Sequence, residues 1–119
     1  MRLQQINRDL LDECHQCISR FESMRELDAV ADFYKEVRPH TLEFDQLIAE
    51  WKELAIEYIN EHQPKYVHLS QIESAEEQMK QFIVQSFYKE TSKKRFYQSI
   101  HAAIYTLETI QTELKGGLS

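Results

Sequence analysis

The sequence contains one Cys-x-x-Cys motif, Cys14-His15-Gln16-Cys17, and no other cysteine. In redox enzymes this motif begins a helix after a strand, where the helix dipole lowers the thiol pKa. Here both cysteines lie on the apolar face of a predicted helix, and a zinc site would need two more ligands. A free cysteine in a core packs as a small hydrophobic residue. We therefore interpret the pair as core residues.

Motifs for metals and cofactors are missing elsewhere. Di-iron sites in four-helix bundles require Glu-x-x-His motifs. Histidines occur at positions 15, 40, 62, 68 and 101, and only Asp12 approaches that spacing, with His15. The chain has only two glycines, Gly116 and Gly117, both near its carboxyl end. The phosphate-binding loop, the dinucleotide fingerprint and the nucleophile elbow all need glycines earlier in the chain, so these motifs are absent. The sequence thus predicts no catalytic residue, no cofactor and no metal site.

The densest basic cluster surrounds the junction of the last two predicted helices, and aromatic residues accompany it. Such a pattern can bind phosphate or nucleic acid. The cluster consists of Lys89, Lys93, Lys94 and Arg95. In an up-and-down bundle this junction would lie beside an acidic connection, whose members are Glu22, Glu26, Asp28, Asp32 and Glu36. We favour neutralisation within the chain over nucleic-acid binding, and keep Lys93, Lys94 and Arg95 as possible partner-binding residues.

Tyr66 and His68 lie in the connection between the second and third predicted helices, at the other end of the bundle. If exposed, they are suited to recognising a partner. If folded over the bundle end, they seal the core. We favour the seal, and keep both as possible partner-binding residues.

Four segments with apolar residues at helical spacing must position these groups. The predicted helices cover residues 2–26, 39–62, 70–90 and 93–115. On the first, Arg20 lies on the polar side, and the inward face is formed by Leu3, Ile6, Leu10, Cys14, Cys17, Phe21 and Met24.

A short helical lead-in at residues 28–38 is predicted before the second long helix. Asp28 can cap it. Its apolar side is predicted to comprise Val30, Phe33, Tyr34 and Val37. Pro39 suits the first turn of the long helix that follows.

Pro64 separates the two halves of the chain, because proline lacks a backbone N–H and restricts the preceding residue. Ser70 and Glu73 form a capping-box pattern for the third helix, and Gly116 is a stop signal for the fourth. Short connections favour antiparallel neighbours, so we predict one all-α domain over residues 1–119, an up-and-down four-helix bundle. Its middle layer should contain Cys14, Cys17, Trp51, Met79, Phe82 and Ala103.

Composition agrees with a soluble globular protein, since 42% of the 119 residues are hydrophobic and 29% are charged. The net charge is −6, the sum of −7 from residues 1–62 and +1 from residues 63–119, and it disfavours nucleic acid and anionic membranes. No apolar run approaches the ~20 residues of a membrane helix, and no signal-peptide core is present. We expect a cytoplasmic protein whose cysteines are thiols.

Short strings from Pro64 onward, together with their spacing, resemble the YppE-like family of small proteins from Gram-positive bacteria. The strings are Pro64-Lys65-Tyr66-Val67-His68, Gln71-Ile72-Glu73, Gln85-Ser86, Lys93-Lys94-Arg95-Phe96 and Tyr105-Thr106-Leu107. The acidic first half resembles the family more loosely. The resemblance implies a left-handed up-and-down four-helix bundle. It implies no activity and no defined site, because the family has no assigned function.

Two hypotheses about function follow. The first is a non-enzymatic cytosolic interaction protein that binds another protein or itself, which agrees with the missing catalytic constellation and the wide apolar stripes. The second is a small-molecule or metal-dependent enzyme that uses the bundle interior. It requires polar residues that converge on the inward faces, where only Cys14, Cys17 and Ser86 are found. We favour the first.

Overall fold

The computed structural model describes residues 1–116, and within them the chain forms four α-helices and no strand. The helices are α1 (Arg2–Glu26), α2 (Arg38–His62), α3 (Leu69–Gln85) and α4 (Lys93–Leu114). A turn of α-helix rises about 5.4 Å, so the 25 residues of α2 span about 37 Å of the 46 Å long axis. Helices α1 and α3 each pack against both α2 and α4. The predicted all-α, up-and-down four-helix bundle is confirmed.

The core consists of the inward faces that helical spacing predicts. Trp51, Phe21, Phe82 and Phe96 are its largest fully buried side chains. The rings of Phe21 and Phe96 have centroids 4.3 Å apart, which joins α1 to α4. Burial of each large apolar side chain contributes roughly 1.5–3 kcal/mol to folding. The predicted middle layer is buried throughout, at Cys14, Cys17, Trp51, Met79, Phe82 and Ala103.

A buried asparagine connects three helices across this core. Asn7 on α1 accepts a hydrogen bond of 3.0 Å from the indole N–H of Trp51 on α2. Its own amide donates a bond of 2.8 Å to the carbonyl oxygen of Leu107 on α4. The indole N–H needs an acceptor when it is buried, and Asn7 is 1% exposed. This connection fixes the axial register of α1, α2 and α4.

The chain between α1 and α2 corrects the predicted lead-in. Asp28 does not begin a helix: its φ of 50° ends α1 in the left-handed conformation, which Asp tolerates better than most residues. The Ala29 N–H then bonds to the Met24 carbonyl, as in a Schellman motif. Instead, a single π-helical turn covers Phe33–Val37. Asp32 caps it, because the Asp32 side chain accepts a hydrogen bond from the Lys35 N–H.

The predicted apolar side of the lead-in is also wrong in part. Val37 is buried, as predicted. The other three residues of that side, Val30, Phe33 and Tyr34, are exposed. Val30 lies in the non-helical stretch 28–32, and the π-helical turn that carries Phe33 and Tyr34 leaves both of their side chains exposed.

Helix α3 differs from its prediction at both ends. It begins at Leu69, where the Gln71 side chain accepts a 2.7 Å hydrogen bond from the His68 N–H, so Ser70 and Glu73 are not its capping box. It ends at Gln85, short of the predicted residue 90, because the Thr91 hydroxyl bonds to the Gln85 carbonyl and the chain turns.

Helix α4 agrees with its prediction. Ser92 caps its start by accepting from the Arg95 N–H, and Gly116 follows its end with a φ of 72°. The predicted domain extends to residue 119, so its last residues, 117–119, lie outside the described residues. Within residues 1–116, no helix combines the length and the apolar character that crossing a bilayer requires.

The substitution Asn7→Ala tests the polar connection. It leaves the buried Trp51 N–H without an acceptor and removes the bond that the Leu107 carbonyl accepts in addition to its own helical one, so the free energy of unfolding should fall by about 2 kcal/mol. Urea denaturation followed by far-UV circular dichroism measures this change. The exposed Asn60 on α2 provides a control, because Asn60→Ala should change the free energy by less than about 0.5 kcal/mol. A loss below about 1 kcal/mol in Asn7→Ala would show that the connection is dispensable.

Candidate functional site

The two cysteines are fully buried in the middle of α1, as predicted. Burial is the main cause that raises the pKa of both thiols, and the nearby Glu13 carboxylate adds to it. The pKa of Cys14 rises to about 12. A redox or nucleophilic cysteine needs the opposite shift. The thiols therefore remain protonated and inaccessible, which supports their role as core residues.

Next to Cys17 lies a buried carboxylate, Glu13, which is 5% exposed. Its Oε2 accepts hydrogen bonds from His40 Nε2 at 2.6 Å, from Arg20 Nη1 at 3.3 Å and from the Cys17 thiol at 3.4 Å. Arg20 Nη1 also donates to Ser86 Oγ at 2.9 Å. A buried charge is tolerated only when it is paired and hydrogen-bonded, and these contacts meet that need. The cluster joins α1, α2 and the end of α3.

The potentially reactive groups of this cluster are all engaged in hydrogen bonds with other groups of the chain. The Ser86 hydroxyl donates its proton to the Ile83 carbonyl at 2.7 Å, so it is not activated by a base. The Cys17 thiol donates to Glu13 instead of being ionised. Within residues 1–116, no group of three His, Cys, Asp or Glu side chains could hold a metal ion. The arrangement therefore fixes the packing of three helices.

Sequence reasoning missed this cluster and placed Arg20 on the polar side of the first helix. The structure corrects that placement: the Arg20 guanidinium lies over the Phe87 ring, 4.5 Å from its centroid. A usable signal was present, because Glu13, Cys17 and Arg20 are spaced i, i+4 and i+7 and so share one helix face. His40 gave no local signal, since only the packing of α2 on α1 brings it near.

The basic cluster is neutralised within the chain only in part. Lys89 Nζ bonds to Asp28 at 2.6 Å, which lowers the pKa of that carboxyl and raises the pKa of Lys89. Within residues 1–116, Lys93, Lys94 and Arg95 are exposed and form no ion pair through their side chains.

Three other acidic residues, Glu22, Asp32 and Glu36, have partners outside the basic cluster. Glu22 accepts a 2.7 Å hydrogen bond from the Tyr97 hydroxyl, which raises the pKa of that phenol. Asp32 caps the π-helical turn, and the Glu36 carboxylate accepts from the Asp32 N–H. Of the basic cluster, therefore, Lys89 is neutralised by an acidic residue of the chain, whereas the positive charges at the start of α4 are not.

An exposed apolar patch lies beside this basic end. Its members are Leu27, Val30, Phe33 and Tyr34, between α1 and α2, and we call them the apolar patch. Val30 is 85% exposed and Tyr34 is 74% exposed. The rings of Phe33 and Tyr34 meet edge to face, with centroids 5.2 Å apart. Sequence reasoning missed the patch because it placed Val30, Phe33 and Tyr34 on the apolar side of a helical lead-in and made no prediction for Leu27.

At the opposite end, Tyr66 and His68 are both exposed, so the predicted seal is wrong. Val67, between them, is 3% exposed and closes the core in their place. The backbone bends at residues 65 and 66 and is extended at His68, and of these three side chains only that of Val67 lies in the core. Tyr66 instead lines an open groove of about 300 Å³ with Tyr105, Glu108, Thr109 and Thr112 of α4.

The possible partner-binding residues thus form two separate groups. Lys93, Lys94 and Arg95 lie at the start of α4, whereas Tyr66 lies beside its second half. Each group has an exposed aromatic or apolar neighbour, and the two groups do not form one site.

The substitution Glu13→Gln tests the buried cluster. Glutamine has nearly the same shape but removes the charge that pairs with Arg20, so we expect the free energy of unfolding to fall by about 2–3 kcal/mol. The exposed Glu43 on α2 provides a matched control, and Glu43→Gln should leave stability almost unchanged. Equal stability of the two variants would contradict a structural role for the cluster.

The thiols can be tested by labelling and by pH. Native protein should react with a thiol reagent only as fast as it unfolds. Unfolded thiols ionise near pH 8.5, whereas the buried ones stay protonated. The unfolded state then binds fewer protons, so each thiol should lower the free energy of unfolding by about 1.4 kcal/mol one pH unit above that point. A variant with Cys14→Ala and Cys17→Ala should lose this slope, and rapid labelling of native protein would refute the assignment.

Known proteins are similar to this chain in fold and in sequence. The uncharacterized protein YppE of Bacillus subtilis (strain 168) is 29% identical over 112 residues, covering 94% of this chain and 91% of that protein. The crystal structure of YppE has a TM-score of 0.92 at 28% identity, covering 96% of this chain and 93% of YppE. A crystal structure of a Listeria innocua protein of unknown function has a TM-score of 0.89 at 26% identity, covering 95% of this chain and 90% of that protein.

The family comparison agrees with these relatives. Residues 7–114 match the bacterial domain of unknown function DUF1798. The predicted resemblance to YppE is confirmed, and this chain belongs to the DUF1798 family.

Proposed function

We propose that this chain is a non-enzymatic interaction protein of the cytoplasm that binds another protein or a second copy of itself through the end of the bundle bearing the apolar patch. The observation that carries the proposal is the exposure of Leu27, Val30, Phe33 and Tyr34 on one short connection. Contiguous exposed apolar residues are typical of interaction sites. Burying them against a partner would contribute roughly 25 cal/mol for each Å² removed from water.

The aromatic pair in the patch is suited to anchoring a partner. Tyr and Phe are enriched in the buried centre of interfaces, where few residues supply most of the binding energy. The edge-to-face contact of Phe33 and Tyr34 orders both rings before binding. The π-helical turn that carries them is itself fixed by the Asp32 cap. Preorganised anchors lose little conformational freedom on association.

Charge supports a partner with acidic residues around its apolar contact. The Asp28–Lys89 ion pair and the Arg25 bond to the Lys89 carbonyl hold the two connections of this end together. The unpaired Lys93, Lys94 and Arg95 begin α4 directly after the second connection. Charges at an interface rim contribute mainly to specificity and to the rate of association.

The alternative hypothesis, an enzyme that uses the bundle interior, receives less support. It requires a reactive group that a substrate can reach. The polar groups that converge inside, around Glu13, bond to one another and lie among packed helices. A cluster that satisfies its own hydrogen bonds favours a structural role.

The double substitution Phe33→Ser and Tyr34→Ser tests the proposal. Both side chains are exposed, so we expect stability to stay within about 0.5 kcal/mol of the original chain. Binding should weaken at least ~10-fold, because each lost aromatic anchor typically costs more than ~1 kcal/mol. Analytical ultracentrifugation measures self-association. If the original chain is monomeric, co-purification from source-cell extract identifies the partner, and titration of the purified partner measures affinity.

Leu69→Ser provides the control, because Leu69 is an exposed leucine at the opposite end. It should leave both assays unchanged. Complexes that persist in the double variant would contradict the assigned surface, and a specific turnover by the purified chain would contradict the non-enzymatic role.

A further inference from the structure

The groove beside Tyr66 is formed by one stripe of α4 and by the connection between α2 and α3. Residues Tyr105, Glu108, Thr109 and Thr112 are spaced i, i+3, i+4 and i+7, so they follow one face of the helix. Tyr66 approaches this stripe from the side. The volume of about 300 Å³ is at the lower limit for small-molecule sites, and so suits one side chain better than a large ligand.

The two threonine hydroxyls and the Glu108 carboxylate offer hydrogen-bond acceptors in the groove. The Thr109 hydroxyl donates to the Tyr105 carbonyl at 2.8 Å, and the Thr112 hydroxyl donates to the Glu108 carbonyl at 3.0 Å. Each hydroxyl therefore turns lone pairs towards other partners. The Glu108 carboxylate is exposed and has no ion pair within residues 1–116. Such a surface complements a group with several donors and a positive charge.

The two tyrosine rings add a second preference for cations. Tyr105 is 66% exposed and Tyr66 is 46% exposed, so their faces are available to a ligand. The chain already shows this preference, because Lys65 Nζ lies 5.5 Å from the centroid of the Tyr66 ring. A cation over the face of an aromatic ring is attracted by the negative charge of that face.

We propose that this groove binds an arginine side chain presented by a partner protein. The planar guanidinium can stack on a tyrosine ring while its forked N–H groups bond to the Glu108 carboxylate. Phosphate and carboxylate ligands are disfavoured, because Glu108 repels them. The inference rests on the proposed binding role, but it uses a surface distant from the apolar patch. Lys65 competes for the Tyr66 ring and repels the incoming charge.

An NMR titration with Nα-acetyl-arginine-N-methylamide tests the proposal without a partner protein. We expect saturable amide shifts at Tyr66, Tyr105 and Thr109, with a Kd in the millimolar range, as for a single exposed contact. The citrulline analogue has nearly the same shape without the charge. It should produce no saturable shift at these residues.

Variants locate the contact. Tyr105→Ala and Glu108→Gln should each weaken binding roughly two- to fivefold, because an exposed cation–π or ion-pair contact contributes modestly. Lys65→Gln should tighten it by a similar factor, since it removes a competing positive charge. Glu113→Gln, which changes a glutamate outside the groove on the same helix, should leave affinity unchanged.

Equal binding of the citrulline analogue would overturn the proposal, as would affinity that neither Tyr105→Ala nor Glu108→Gln changes. Absence of saturable shifts with the arginine probe would also overturn it. Any of these results would leave the role of the apolar patch intact, because association through Phe33 and Tyr34 is measured separately.

Discussion

The hydrogen bond between Trp51 and Asn7 is the constraint on which the rest of the bundle depends. The indole is the largest side chain in the core, and its N–H must be buried with an acceptor. The side-chain oxygen of Asn7 is that acceptor, and the side-chain amide of Asn7 donates to the Leu107 carbonyl. Three helices can then slide along one another only by breaking this connection.

That register brings together the second buried polar group. Six residues after Asn7 on α1, Glu13 bonds to His40 of α2 and to Arg20, which in turn bonds to the Ser86 hydroxyl at the end of α3. Within residues 1–116, no buried side-chain nitrogen or oxygen lacks a hydrogen-bond partner. The polar groups of the interior are therefore satisfied, whereas in the described part of the chain Lys93, Lys94 and Arg95 form no ion pair and the apolar patch is exposed. This contrast between a satisfied interior and incomplete ends locates the proposed binding surfaces.

The sequence predicted the fold because each helix carries a long apolar stripe, and such periodicity depends only on local geometry. It predicted the burial of Cys14 and Cys17 for the same reason. The connections failed where tertiary or capping interactions decide the outcome. Asp28 was expected to start a helix, but its backbone adopts the left-handed conformation that ends α1. Tyr66 was expected to seal the core, but Val67 occupies that position, and tertiary packing decides which side chain of a connection is buried.

The candidate sites were harder to predict than the fold. Tyr66, Lys93, Lys94 and Arg95 were found, because aromatic and basic residues are conspicuous in a loop or at a helix start. Their neighbours were not, since the partnership of Tyr66 with Tyr105 joins positions far apart in the chain. Val30, Phe33 and Tyr34 of the apolar patch were assigned to an apolar helix side because an apolar residue gives the same sequence pattern whether it faces a core or is exposed.

Native-state hydrogen exchange tests most directly whether the interior is closed. If the account is correct, the amides of Cys14, Trp51 and Phe82 exchange only through global unfolding, with free energies equal to that from urea denaturation. Exchange of these amides through a lower-energy opening, with the rest of the bundle still folded, would contradict it by showing that the interior is accessible to ligands.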